Sequence, residues 1–255
     1  TVLISPLKKI KYLINKKNNS KQLKIYGNIF DVDFTSFWKR NYDNPNETSN
    51  EINLKNPNLN IKNFFSFKDR SNFSGKSSIN FLNEKIIFSY KLKDNKILIS
   101  SPDKNQKIKL DTKIELNPFF FDSKFDIDDT DINFFIDNLL SAIFNLQEEF
   151  LKNINGHASL KLNNLKNSII NNGLINFSIN EKEIKLEKAL LEIQSIGKIK
   201  SEFRYFIDSG DLIFVSENIF EINNKKEFSR KFQIRSKNVQ NLKKIYFNLE
   251  KNVDS

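Results

Sequence analysis

Residues Lys107–Asn117 read KIKLDTKIELN. Ile108, Leu110, Thr112, Ile114 and Leu116 alternate there with Lys107, Lys109, Asp111, Lys113, Glu115 and Asn117. An extended chain with that pattern carries its uncharged side chains on one face and its charges on the other, so the stretch predicts a strand with one buried side. The same period of two recurs on both sides of it. Phe88, Tyr90 and Leu92 lead into Asp94-Asn95, and Ile97 and Ile99 lead out. Phe177 and Ile179 precede Glu181–Glu183, with Ile184 and Leu186 after it; Phe203, Tyr205 and Ile207 precede Ser209-Gly210-Asp211, with Leu212 and Phe214 after it. Hairpins that follow one another this closely indicate an antiparallel meander rather than βαβ units.

Glycine is scarce, with 6 in the chain. Gly75, Gly156, Gly173 and Gly197 each precede an alternating run in phase with its apolar side, so each is expected to open a strand. Asn155-Gly156 and Asn172-Gly173 have the composition of tight turns. One segment has a different period. From Thr130 to about Lys152, Ile132, Phe135, Ile136, Leu139, Leu140, Ile143, Phe144, Leu146, Phe150 and Leu151 follow helical spacing, with Asp128, Asp129 and Asp131 at the positive end of the helix dipole. This predicts one long amphipathic helix over about 130–152, with a shorter one around Lys237–Lys244. Asn41–Asn60, rich in Asn, Ser and Glu and holding Pro45 and Pro57, reads as an exposed loop. The expected architecture is therefore mainly β, a long antiparallel meandering sheet forming a curved groove. It is a single elongated region over 1–255, subdivided as 1–129, helix 130–152 and 153–255.

Composition narrows the chemistry. The chain of 255 residues has no Cys and one His, which excludes disulfides, thiolate metal sites and a thiol nucleophile. It has no Met either, so Thr1 is not expected to be the natural start, and the sequence reads as part of a longer protein. The net charge of +10 comes almost wholly from Lys. Base and phosphate readers favour Arg forks, so a solvated lysine surface is the simpler reading than nucleic-acid binding.

Motifs that approach a site each fail on a required residue. Gly75-Lys76-Ser77 has Arg70 where a phosphate-binding loop needs Gly. The group Asp122, Asp126, Asp128, Asp129 and Asp131, read as a calcium loop from Asp126, has Asp131 at the turn glycine and Asp137 at the bidentate glutamate. Adjacent Glu148 and Glu149 cannot flank one scissile bond. His157 alternates with Ala158 and has no nucleophile elbow to serve. No catalytic residue, metal or cofactor is expected, and the chain reads as a non-enzyme.

What remains is a surface argument. Leaving about 1,000 Å² of apolar sheet in water forfeits roughly 25 kcal/mol, more than the ~5–15 kcal/mol net stability of a domain. A helix of about 20 residues spans only ~30 Å and cannot roof a long sheet. Either a second layer closes the face or lipid chains complete it. The residues expected to line such a groove are Ile79, Phe81, Phe88, Tyr90, Ile108, Leu110, Ile114, Leu116, Phe177, Ile179, Phe203 and Tyr205.

Several stretches resemble the carboxy-terminal region of AsmA-like envelope proteins from low-GC alphaproteobacteria. They are Ile114–Asp122 (IELNPFFFD), Asn155–Leu162 (NGHASLKL), Ile193–Gly197 (IQSIG), Gly210–Phe214 (GDLIF) and Phe228–Ile234 (FSRKFQI). Tyr26–Asp31 (YGNIFD) and Phe37-Trp38-Lys39-Arg40 fit the same pattern. These are strand and turn signatures. The resemblance implies a periplasmic β-groove, anchored to the inner membrane by a segment outside this sequence. It would handle phospholipid or another acyl-chain lipid in outer-membrane biogenesis, with envelope proteins as further partners. The competing expectation is a structural β-domain that scaffolds envelope complexes through protein contacts.

Overall fold

The computed structural model describes residues 7–17, 19–29, 32–41, 46–54, 59–67, 72–81, 84–102, 105–131, 155–180, 183–208 and 211–252. The helix expected over 130–152 lies almost entirely outside them. The chain divides into two compact units, Thr1–Lys113 and Ile114–Ser255. The fold is mainly β, and its strands are hydrogen-bonded neighbours in sequence order throughout.

Unit 1 contains β1 (Leu7–Asn15), β2 (Ser20–Ile29), β3 (Val32–Asn41), β4 (Glu47–Leu54), β5 (Leu59–Phe67), β6 (Phe73–Phe81), β7 (Glu84–Lys93) and β8 (Lys96–Ser100). Strand β9 (Ile108–Leu116) spans the division between the units. Each pair from β1/β2 to β7/β8 is antiparallel. Asp94 and Asn95, with φ of 51° and 60°, form the tight β7–β8 turn that their composition indicates. Beyond the short β8, the Gln106 amide stands in for a strand. It accepts from the Ile87 N–H at 2.7 Å and donates to the Ile87 carbonyl at 2.9 Å.

The expected loop over Asn41–Asn60 is corrected, since β4 and the start of β5 lie within it. Its sequence ETSNEINL hides a strand because the most buried position of β4 is Asn50, not an apolar residue. Hydrogen bonding makes that position viable: Asn50 Nδ2 donates to Ser36 Oγ at 3.0 Å, and Asn63 Nδ2 donates to Asn50 Oδ1 at 3.2 Å.

Unit 2 contains β10 (Phe119–Asp128), β11 (Gly156–Asn163), β12 (Ile170–Asn180), β13 (Glu183–Ile193), β14 (Gly197–Asp208), β15 (Asp211–Ile222) and β16 (Lys244–Asn252). Between β15 and β16 lie α1 (Lys225–Lys231) and α2 (Ser236–Val239). One pair departs from the antiparallel expectation: β10 and β11 run parallel, with Phe121 opposite Gly156 and Ile127 opposite Leu162. The segment between Asp128 and Gly156 is long enough for the crossover such a pair requires. The remaining pairs, β11/β12 to β15/β16, are antiparallel.

Two local readings also change. Gly75 and Gly173 lie inside β6 and β12 rather than opening them, so Asn172-Gly173 is strand and not a turn; Gly156 and Gly197 do begin β11 and β14. At Gly75 a Cβ would fall 2.6 Å from the Tyr90 ring and 2.5 Å from the Phe64 carbonyl, so the missing side chain is what lets Tyr90 lie across the strand. The helix expected over Lys237–Lys244 is confined to α2, and β16 begins at Lys244. Phe228–Ile234, counted among the strand and turn signatures, has its first four residues in α1. Asn224 caps this helix by accepting from the Glu227 N–H at 3.1 Å.

The core of unit 2 is closed at the α1 end of the sheet, where Phe228 and Val239 pack on Ile193, Ile196, Phe220 and Ile222. On the rim, Glu221 receives Lys200 at 3.0 Å and Lys244 at 3.1 Å, linking β14, β15 and β16. Hydrogen bonds from Lys200 and then Lys244 hold the Glu221 carboxyl below its ordinary pKa. A depressed carboxylate contributes stability above its unfolded-state pKa and loses it as pH falls through the folded-state value. The protection of β16 amides relative to their intrinsic exchange rates should therefore fall on acidification, and Glu221→Gln should flatten that dependence. An unchanged pH profile in Glu221→Gln would remove this linkage.

Candidate functional surface

Register places the alternating residues of unit 1 in rows that cross the strands. One row is Ile10, Ile25, Ser36, Ile52, Ile61, Ile79 and Ile86 on β1 to β7. The next is Tyr12, Leu23, Trp38, Asn50, Asn63, Ser77 and Phe88. A third brings Phe65, Gly75, Tyr90 and Ile99 side by side on β5 to β8. Edge-on ring contacts consolidate this face, Trp38 with Phe65 at 5.9 Å and Phe73 with Tyr90 at 6.1 Å. Partial burial pushes the Tyr90 phenol pKa up. The opposite face presents Lys24, Lys39, Lys62, Lys76 and Lys91 in the alternate positions.

The two units bury different chemistry. Among the described residues, every buried hydrophobic side chain lies between Ile127 and Val239, in unit 2. In unit 1 the fully buried side chains are Ser20, Ser36, Asn50, Ser77 and Thr112. The small polar groups sit low between larger neighbours, and the isoleucines and aromatics around them remain half-buried or exposed. An apolar face in that state keeps roughly half of the ~1.5–3 kcal/mol available from full burial of each such side chain unrealised.

The expected lining residues divide accordingly. Ile79, Phe88 and Tyr90 share the apolar face of unit 1 and are half-buried, and Phe81 ends β6 opposite Glu84. Ile108, Leu110, Ile114 and Leu116 lie along β9; the first three are half-buried and Leu116 is 42% exposed. In unit 2, Phe177 and Phe203 both stand opposite Leu186, and Ile179 stands opposite Ile184. Phe177, Ile179 and Phe203 are half-buried, whereas Tyr205 is 0% exposed and belongs to the core.

Four of the five carboxylates of the acidic group, Asp126, Asp128, Asp129 and Asp131, are engaged by their own chain. Asn163 donates to Asp126 at 2.6 Å, Asn164 to Asp128 at 3.1 Å, Lys166 to Asp129 at 2.8 Å and Asn167 to Asp131 at 3.1 Å. These contacts clasp the end of β10 to the turn after β11, and no metal-binding group of His, Cys, Asp or Glu occurs among the described residues. His157 is exposed, with its ring edge-on to Phe120 at 5.6 Å.

Sequence reasoning passed over a second feature of unit 1, a cavity of about 910 Å³ on the lysine face of β3 to β7. The pair Phe64-Phe65 was its available signal, because adjacent aromatics on a strand must point to opposite faces. Phe64 is 64% exposed there. No helix of the described residues is long and apolar enough to cross a membrane. No protein-family model, curated protein or solved structure matches the chain.

Proposed function

We propose that the chain is a non-enzymatic lipid-handling module whose unit 1 binds acyl chains along the rows of its apolar face. The observation that carries this reading is that none of the large hydrophobic side chains described on that face is fully buried, while the buried groups are small and polar. Neighbouring strands lie about 4.8 Å apart, so a row crossing β1 to β7 extends ~29 Å, about twice the ~15 Å depth of one bilayer leaflet's hydrocarbon. A lipid tail laid along the isoleucine row gains about 0.8 kcal/mol for each methylene it buries. The resemblance to AsmA-like envelope proteins supports the same reading and extends it to phospholipid traffic at the periplasmic side of the inner membrane.

Native mass spectrometry of protein purified from cells tests the proposal. Bound phospholipid is expected on the unaltered chain and should be lost in Phe88→Glu and Ile61→Glu, with circular dichroism unchanged. Lipid-free protein, together with unfolding of both variants, would show these side chains to be ordinary core. That outcome favours a structural β-domain acting through protein contacts, a reading for which the closed core of unit 2 speaks.

A further inference from the structure

The strands at the two ends of the strand order differ in how they meet a further strand. On β1 stand Lys9 and Lys11, and its pairing with β2 slips between Leu7 and Lys9. Lysines and a slipped register both discourage another strand from adding there. β16 has β15 as its only neighbour among the described residues and lacks these defences. Its register runs unbroken from Lys244 to Asn252, and its centre, Ile245–Leu249 (IYFNL), carries no charge. Tyr246, Phe247 and Leu249 are all exposed.

The backbone of β16 fixes which residues a further strand would meet. The Ile222 N–H donates to the Lys243 carbonyl at 2.8 Å, and the Asn218 side-chain amide donates to the Phe247 carbonyl at 3.1 Å. Odd-numbered residues therefore turn their peptide groups to β15. In an antiparallel ladder the alternate residues turn theirs away, so Lys244, Tyr246, Asn248 and Glu250 present N–H and C=O groups at the outer edge.

That edge is complementary to itself. When a second β16 runs antiparallel and the pair is centred on Phe247, Lys244 stands against Glu250, Ile245 against Leu249, Tyr246 against Asn248, and Phe247 against its own counterpart. Each residue from Lys244 to Glu250 then has a partner, and both charges meet their opposites. Lys251 falls opposite Lys243, outside the strand, where both exposed side chains can turn to solvent. Centring on Asn248 instead sets Lys251 against Ile245 and separates Lys244 from Glu250.

We propose that the outer edge of β16 binds a second copy of this chain through an isologous antiparallel strand pair centred on Phe247. The charge complementarity selects a second copy over an unrelated strand. With the two-fold axis perpendicular to the sheet, Ile245, Phe247 and Leu249 of both copies share one face. Lys244 already reaches Glu221 at 3.1 Å, and Glu250 of the partner subunit brings it a second carboxylate. This surface belongs to unit 2, and its failure would leave the acyl-chain reading of unit 1 untouched.

The chain has no Cys, so a single introduced thiol reports only its own counterpart. Phe247→Cys places two thiols at a non-hydrogen-bonded pair, where Cα atoms lie about 4.5 Å apart, within the ~4.4–6.8 Å span of a disulfide. Oxidised glutathione should link this variant into covalent dimers. Leu249→Cys should stay unlinked, because its counterpart lies about 14 Å away along the strand.

Sedimentation velocity on the unaltered chain is expected to show a shift from monomer to dimer as concentration rises. Lys244→Glu and Glu250→Lys should each weaken the dimer by about tenfold, since like charges then face one another twice across the axis. An equimolar mixture of the two variants should restore it, because their heterodimer brings unlike charges back into register. Both positions are exposed, and unchanged circular dichroism confirms that the variants stay folded. Monomer at every concentration, linkage of Leu249→Cys as readily as Phe247→Cys, or no restoration on mixing would each overturn the assignment. So would open-ended head-to-tail chains, which would set β16 against β1 instead.

Discussion

Replacing Phe228 by Ala is expected to lower the unfolding free energy by about 3–5 kcal/mol, the usual cost of removing a fully buried phenylalanine ring. Phe228 is 2% exposed and is the one large side chain by which α1 enters the core. Its ring meets Phe220 at 5.5 Å and Phe232 at 4.8 Å, so two ring contacts are lost at once and only that of Phe220 with Phe232 at 6.0 Å remains. The rest of α1, KKEFSRK, is polar or charged and cannot hold the helix to the sheet alone. Urea unfolding monitored by circular dichroism measures the loss. Phe64→Ala is the matched control, because a ring that is 64% exposed should cost no more than about 0.5 kcal/mol. Equal losses in the two variants would contradict the assignment of Phe228 to the core.

Gly197→Val is expected to be comparably damaging for a different reason. A Cβ at Gly197 would fall 2.0 Å from the Glu221 carbonyl oxygen and 3.2 Å from the Ile222 Cα. Both neighbours are backbone held in the β14/β15 ladder, so relief requires moving a strand rather than turning a side chain. Overpacking that displaces backbone costs about 3 kcal/mol. The damage should be local, with faster hydrogen exchange near Ile222 before it spreads along β15. Unchanged exchange at Ile222 and an unchanged melting temperature would mean that the ladder ends before Gly197.

The hairpins were legible because their signals are local. Asp94-Asn95 sits between two alternating runs, and the left-handed backbone it requires is one those residues adopt readily. Strand β4 was not legible, since its inner face uses Thr48, Asn50, Ile52 and Leu54 and hydropathy does not alternate along ETSNEINL. Pairing with Ser36 and Asn63 turns Asn50 into an interior residue, and both partners belong to other strands. For α1 a signal existed: Asn224 followed three residues later by Glu227 is a helix-start pattern, and a single apolar residue in the segment obscured it. The lining residues were legible as alternation but not as environment. Nothing local separates Tyr90, half-buried on the face of unit 1, from Tyr205, sealed in unit 2, because the difference arises from what packs above each strand. The cavity with Phe64 was invisible for a related reason, since its serines come from four strands and converge only through register.

The parallel pairing of β10 with β11 has a consequence for the order in which unit 2 can assemble. From β11 to β15 each strand meets its partner across a short connection, so that stretch can zip up by successive local closures. β10 has no such neighbour on its β11 side. It must wait for a far larger loop to close before that ladder repays the lost chain entropy. The meander that begins at Gly156 is thus the natural nucleus of unit 2, and the Asp126–Asp131 clasp with Asn163–Asn167 is the late seam that joins β10 to it.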